Sequence, residues 1–315
     1  HIKQKIKMAL SITSTYAGEF AGKYIAAALL SGNTIAKGGI EVKPNIKYKE
    51  VIKKVATASL IANGSCDFTN AGDVTLTERI LQPEEFQINL ELCKTPFVSD
   101  WEAVQMGYSA FEKMPPKFSD FLISHVAAEV AQKTEQNIWN GTDGTAGEFD
   151  GLVTLAKADS DVSDISGTTV THSNVVAEMS KVVDACPSAL YGKEDLKLYV
   201  SQNVAKAYVR ALGGYSIGVG ANGINDQGQM WYSGQDLSFD GVNIFLANGL
   251  NDNQMVLAQK SNLYFGTGLM NDMNLVKTLD MADLDGSQNV RFIMRFTATV
   301  NYGYGSEIVL YDPTV

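Results

Sequence analysis

Gly214-Tyr215-Ser216-Ile217-Gly218 spells G-x-S-x-G, the turn that lifts a nucleophilic serine above a hydrolase sheet. That chemistry needs a strand before the serine, a helix after it and a downstream histidine to take the hydroxyl proton. Here the preceding segment reads as helix, the following one is glycine-rich, and no histidine follows His172. Gly218, Gly220 and Gly223 also spell G-x-G-x-x-G, a dinucleotide pattern that works only between a strand and the helix it opens. This copy trails a helix and runs into Ile224-Asn225-Asp226-Gln227-Gly228, so it reads as a surface loop. Asp283-Leu284-Asp285-Gly286 begins like a calcium loop, yet Ser287 stands at position five and the glutamate of position twelve is missing, so a turn is expected.

The other reactive side chains are equally scattered. His1, His125 and His172 form no H-E-x-x-H pair, and His125 falls inside a helix, where a packed or partly exposed ring is expected. Cys66, Cys93 and Cys186 are odd in number and contain no C-x-x-C, which predicts reduced thiols rather than a disulfide framework or zinc site. Glu84-Glu85 has no third carboxylate at defined spacing and reads as a solvated pair. Asn63-Gly64-Ser65 and Asn140-Gly141-Thr142 fit the glycosylation sequon, which matters only in a secreted chain. The expectation is a chain without catalytic, cofactor-binding or metal-binding residues, and not an enzyme.

The elements that would have to position such groups explain why none assemble. Residues 1–42 are rich in Gly, Ala and Ser, with an apolar stretch (Phe20, Tyr24, Ile25, Leu29, Leu30) too short to make a domain. From Pro44 to Cys93, β-prone pieces such as 74–77 and 86–90 alternate with turn signals at Asn63-Gly64 and 70–73, which predicts an extended, hairpin-like excursion. Pro115-Pro116 stops the chain, and 117–140 then carries Phe118, Phe121, Leu122, Val126, Val130 and Ala131 at helical spacing up to the C′ glycine Gly141. A second helix is expected over 173–185, a strand and helix over 196–200 and 203–212, and strands over 242–247 and 255–258. Val290, Phe292, Met294, Phe296, Ala298 and Val300 alternate with Arg291, Ile293, Arg295, Thr297 and Thr299, a period of two that puts both arginines on one strand face. The chain should close as antiparallel sheet with Ile308 to Tyr311, giving an α+β class.

Composition bounds the function. With 315 residues, 45% of them hydrophobic and 19% charged, the chain can bury a core of about two domains. The longest apolar run, Tyr24 to Leu30, is far short of the ~20 residues a helix needs to cross a bilayer, and no signal-peptide core is visible. The net charge of −10 is uneven: residues 1–54 hold ten lysines against three glutamates, a balance of +7, leaving −17 on the rest. That segment contains no arginine, which argues against reading guanine but leaves non-specific contact with phosphate or an acidic neighbour. A basic arm and an extended β excursion that cannot bury themselves are what a subunit of an assembly looks like.

The order of parts resembles the major capsid proteins of tailed phages, the Hong Kong 97 fold. The local match is the helix exit Gln136-Asn137-Ile138-Trp139-Asn140-Gly141-Thr142-Asp143-Gly144-Thr145, running on to Phe149-Asp150-Gly151-Leu152. More narrowly, Ser14 to Val55 and Leu76 to Cys93 resemble the major capsid proteins of crAss-like phages. The resemblance implies an N-terminal arm over 1–42, an extended β-hairpin loop over 43–95, a peripheral domain over 96–189 with spine helix 117–140, an axial domain over 190–287, and C-terminal peripheral strands over 288–315. It further implies a virion protein, assembled in the bacterial host cytoplasm. Such a subunit builds pentamers and hexamers of an icosahedral head enclosing double-stranded DNA, with portal and decoration proteins as further partners. An encapsulin-like compartment shell is the alternative on the same fold. Some members crosslink a loop lysine to an asparagine, but no residue context here names such a pair. Ser216→Ala is expected to leave assembly unchanged, read as particle yield; an enzymatic activity lost on that substitution would restore the hydrolase reading.

Overall fold

The computed structural model describes residues 33–58, 61, 63, 72–93, 116–212, 237–268, 277–281, 287 and 289–314. In chain order the elements are α1 (Asn33–Ala36), β1 (Glu41–Lys43), β2 (Glu50–Ala58), β3 (Asp73–Leu81), β4 (Glu84–Cys93), α2 (Pro116–Asn140), α3 (Leu152–Ala158), β5 (Ser163–Ser166) and α4 (Val175–Asp184). There follow β6 (Leu196–Val200), α5 (Gln202–Leu212), β7 (Ser238–Phe239), β8 (Val242–Leu246), β9 (Met255–Gln259), β10 (Leu263–Thr267), β11 (Lys277–Asp280), β12 (Asn289–Tyr302) and β13 (Val309–Asp312). The chain divides into two compact units, one of residues 1–32, 84–134 and 267–298 and the other of 33–83, 135–266 and 299–315. The sequence segments 43–95 and 288–315 are each shared between these units.

In the first unit β12 is flanked by β11 and by β4, both antiparallel. The ten residues of β4 pair with Asn289–Ala298, so Leu90, Ile88 and Phe86 lie opposite Phe292, Met294 and Phe296 on one face. The Phe86 and Phe296 ring centroids are 5.5 Å apart. Alternation predicted an apolar face here, and it also placed Arg291 and Arg295 together on the other. What it did not separate is β4 from the hairpin before it. Gln82-Pro83 breaks the chain between β3 and β4, because proline has no N–H to continue a ladder.

The second unit is built on a six-stranded mixed sheet in the order β5-β13-β9-β6-β8-β7. Alternate residues of β6 split its two faces. Leu196, Leu198 and Val200 join Met255, Leu257, Val309 and the inner sides of α4 and α5 in the main core. Tyr199 points the other way, its ring 5.1 Å from Trp139 of α2 and 5.2 Å from Phe245. The β7–β8 turn uses Asp240 and Gly241 at positive φ (49° and 80°), the Asp-Gly pair such tight hairpins favour. The last strand, β13, is antiparallel to β9, as the chain's close was expected to be, and it also pairs in parallel with β5, so it enters this sheet and not the β12 one. The 3-10 turn Gly305–Glu307 redirects the chain, and all four β13 residues are buried between their two partners.

The Trp139–Tyr199 face is covered by the chain's own residues 33–40. Thr34, Ile35 and Ile40 are buried, the Tyr199 hydroxyl donates to the Gly39 carbonyl at 2.5 Å, and β1 then pairs in parallel with β10. Gly39 has no alternative, since a Cβ there would stand 2.7 Å from the Phe245 ring. The long helix starts at Pro116, one residue before the predicted start, and its exit folds back so tightly that a Cβ on Gly141 would lie 2.2 Å from the Phe149 carbonyl oxygen.

These contacts move the point at which truncation spares the fold. Deleting 1–42 removes Thr34, Ile35 and Ile40 from the second unit, so its denaturation midpoint should fall well below that of a chain lacking only 1–32. The expected difference is about 2–4 kcal/mol from lost burial and unpaired polar groups. Equal midpoints for the two truncations would show that residues 33–42 contribute no stability.

Candidate assembly surfaces

β2 and β3 form a two-stranded ribbon with no third strand among the described residues, and its register fixes what each face carries. On the inner face Ile52 lies opposite Arg79 and Glu50 opposite Leu81; on the outer face Val51 lies opposite Ile80 and Val55 opposite Leu76. Ile52 and Leu81 are buried with Ile46 against Tyr264. Leu76 is 74% exposed and Val55 52%, with Val51, Val74 and Ile80 also exposed. The one charged cross-strand pair on this outer face is Lys53 with Glu78. A ribbon of two strands is marginal alone in water, and a contiguous exposed apolar face of this kind marks an interaction surface.

The inner face is held by polar contacts. Arg79 forms an ion pair with Asp159, and its guanidinium lies 4.4 Å from the centroid of the Tyr302 ring. The Tyr302 hydroxyl donates to Asp159 at 2.9 Å. Further out, the Tyr304 hydroxyl accepts the Val55 N–H at 3.1 Å, and the Lys54 ammonium sits 5.3 Å from the Tyr304 ring. The Asn301 amide donates to the Ile80 carbonyl at 2.9 Å.

A second polar centre fixes residues 33–40. The Glu135 side chain, on a residue only 4% exposed, accepts the Thr34 N–H at 3.0 Å and its hydroxyl at 2.5 Å, while the Trp139 indole N–H donates to that hydroxyl at 2.8 Å. Burial pushes the Glu135 carboxyl above its ordinary range, against the pull of these donors and the Gly249 backbone. A Cβ on Gly249 would come within 2.0 Å of the Glu135 carbonyl oxygen, which is why that neighbour is glycine.

The arginine face of the β4–β12 pair is charge-matched. Arg291 meets Glu91 at 3.0 Å and Arg295 approaches Glu85 at 3.9 Å, beside an open groove of about 430 Å³ lined also by Asn89, Leu90, Phe292 and Ile293. Guanidiniums already paired with carboxylates make a poor anion site.

Among the described residues no catalytic constellation is assembled. Glu84 and Glu85 are neighbours on a strand and so face opposite sides of the sheet, which precludes a dyad. His172 is exposed, and burial pushes the Cys186 thiol up, away from the thiolate. The Asn140 amide is occupied by the Gly249 carbonyl at 2.9 Å. Ser216, Gly218, Gly220, Gly223, Asp283 to Gly286, Cys66, His1 and the side chains of Cys93 and His125 lie outside the described residues, as does most of the arm. Among the described residues no group of three or more His, Cys, Asp or Glu could hold a metal, and no helix is long and apolar enough to cross a membrane. Sequence reasoning missed Arg79, Glu135, Asp159, Tyr302 and Tyr304, because each acts through a partner outside its own segment and no local spacing signals it.

No protein-family model and no curated protein matches the chain. Solved structures do. A capsid of a native GTA particle aligns with TM-score 0.60 at 12% identity, covering 98% of this chain and 93% of its own. The capsid of Myoviridae phage XM1 gives 0.55 at 10% identity, with 99% and 95% covered. This chain has the Hong Kong 97-type capsid fold. A virus-like particle from Pyrococcus furiosus shares it, with TM-score 0.54, 8% identity and 93% and 98% coverage. The Hong Kong 97-type fold here is α+β, as the sequence pattern implied.

Carboxylates in the second unit set its response to acid. Burial works against ionisation at Asp159, Glu178 and Asp312, but donors outweigh it: Asp161 N–H and Arg79 at Asp159, Lys181 and Tyr311 at Glu178, Thr314 and Lys157 at Asp312. All three therefore titrate below their ordinary range, so their stabilisation is complete above the unfolded pKa and is lost as pH falls through the lower folded values. Glu135, raised by burial, works in the opposite sense. Asp195, held low by the Ser261 hydroxyl and the Gln259 amide, joins the first group, and Asp164, raised by burial, joins the second. With four groups against two, the denaturation midpoint of the subunit should hold from pH 7 to about pH 5 and fall below about pH 4. A midpoint that stays level down to pH 2 would contradict the pairing described.

Proposed function

We propose that the protein is a self-assembling shell subunit, the major capsid protein of a tailed phage. The observation that carries this reading is the outer face of the β2–β3 ribbon, apolar and exposed on a fold otherwise seen in closed shells of many copies. Its occupant in this reading is a second copy of the chain. The stretches 14–55 and 76–93 favour a crAss-like phage. Pentamers and hexamers then enclose double-stranded DNA, the lysine-rich residues 1–54 meet phosphate or acidic neighbours without sequence preference, and portal and decoration proteins complete the particle in the host cytoplasm. The segments 1–42, 43–95, 96–189, 190–287 and 288–315 serve as arm, extended loop, peripheral domain, axial domain and returning strands. The likeness to the Pyrococcus furiosus particle supports one second reading, an encapsulin-like compartment that encloses protein instead of DNA. Nucleic-acid content of purified particles separates the two.

Leu76→Asp and Val55→Asp place a charge on the outer ribbon face without touching the buried side. Each should leave the subunit folded, with a stability change near ~0.5 kcal/mol, while particle yield by sedimentation falls at least ~10-fold. Normal shells from both variants would remove the ribbon face from the assembly interface.

A further inference from the structure

The direction in which the ribbon leaves its unit is set by what holds its root, where Ile52 lies opposite Arg79. The β2–β3 ribbon has an apolar anchor at its base, where Ile52 and Leu81 pack with Ile46 against Tyr264, and Leu81 comes so close to Gly266 that a Cβ there would meet its Cδ2 at 2.8 Å. Three tyrosines around it each face a cation: Tyr264 faces Lys43 of β1 at 4.9 Å, Tyr302 faces Arg79 of the ribbon at 4.4 Å and Tyr304 faces Lys54 of the ribbon at 5.3 Å. Lys43 is paired with Glu50 of β2 at 2.8 Å and the Tyr304 hydroxyl holds the Val55 N–H at 3.1 Å, but the middle cluster carries the most bonds. Asp159 takes both the Arg79 guanidinium and the Tyr302 hydroxyl on the same oxygen, Oδ2, while its Oδ1 accepts the Asp161 N–H at 3.1 Å. The Tyr302 hydroxyl is also within 3.2 Å of the Leu155 carbonyl, so the cluster is tied to α3 and to the turn after it. Gly305 closes over it, since a Cβ there would stand 2.8 Å from Asp159 Oδ2.

We propose that the Arg79–Asp159–Tyr302 cluster is a pitch lock, which sets the angle at which the β2–β3 ribbon leaves its unit and thereby the curvature of the shell. A strand of nine residues is about 30 Å long, and a tilt of about 10° at its root moves the tip by about 5 Å, a full inter-strand spacing. A change that small at Asp159 therefore shifts the face on which a second copy docks by the width of a strand. Arg79 suits the lock because its planar guanidinium can lay its face on the ring while its edge pairs with the carboxylate in a fixed geometry. The curvature half of this inference rests on the shell reading; the lock itself does not.

The test uses the full chain with Asp159→Asn and, as a milder variant, Arg79→Lys. Hydrogen exchange followed by mass spectrometry is measured on unassembled subunits, and the diameter distribution of assembled particles by electron microscopy. Amides of 50–58 and 73–81 should exchange ~10-fold or more faster in Asp159→Asn and to an intermediate degree in Arg79→Lys, while 196–200 and 255–259 keep their protection. Particle diameters should broaden or shift in the same order. Unchanged ribbon exchange overturns the lock, and so does faster exchange spread over the whole unit, which would mean general destabilisation. Looser ribbons with unaltered diameters overturn the link to curvature. A wild-type chain that forms no particle refutes the shell reading while the exchange data still decide the lock.

Discussion

A two-stranded ribbon has two faces, and among the described residues side chains are buried on only one of them. In this protein that constraint governs the rest. The inner face spends its side chains on attachment, with Ile52 and Leu81 buried and Arg79 and Lys54 laid over tyrosine rings. The outer face keeps Val51, Val55, Leu76 and Ile80 in cross-strand pairs that water alone does not favour. The Lys53–Glu78 pair interrupts this apolar face in its middle, and burying it under an apolar surface would cost the desolvation of both charges.

The Glu135 centre solves a related problem inside the second unit. The Tyr199 and Trp139 side of the sheet is too large to leave open, and residues 33–40 are too few to stay in place by apolar contact alone. A carboxylate inside the structure is costly unless its oxygens are satisfied. Here the Thr34 backbone and hydroxyl supply donors that only a correctly seated segment can provide, so the same group that costs burial energy rejects misplaced registers. That role as a specifier explains why a charged residue stands where packing alone would choose a hydrophobe.

Periodicity made the regular elements legible: the end of α2 at Asn140, β12 with its two arginines on one side, and β6 followed by α5. These are local patterns, each written within about a dozen residues. The hairpin was legible only in outline. In Glu50-Val51-Ile52-Lys53-Lys54-Val55 both parities carry an apolar residue, so alternation could not tell which face turns inward. The register with β3 decides it, by placing Ile52 with Arg79 and Leu81 on one side and Val51 with Ile80 on the other. Nor could the sequence show that β4 leaves the ribbon for β12 or that β13 leaves β12 for β9, since both choices depend on partners some 50 to 200 residues away.

The same logic explains why the search for chemistry and the search for function diverged. Catalytic motifs are recognised by spacing, and the spacings present, G-x-S-x-G above all, lacked the strand and helix that would give them meaning. The groups that matter in the folded chain are singletons whose ordinary neighbours carry no warning. Arg79 looks like any strand arginine until Asp159 arrives from 80 residues further on and Tyr302 from the far end of the chain. Side chains arranged this way hold geometry: the Asp159 oxygens are taken up by Arg79, the Tyr302 hydroxyl and the Asp161 N–H, and a Cβ on Gly305 would collide with the carboxylate. Such centres position the ribbon and the 33–40 segment, and the exposed apolar side chains stand on the ribbon face these centres leave free.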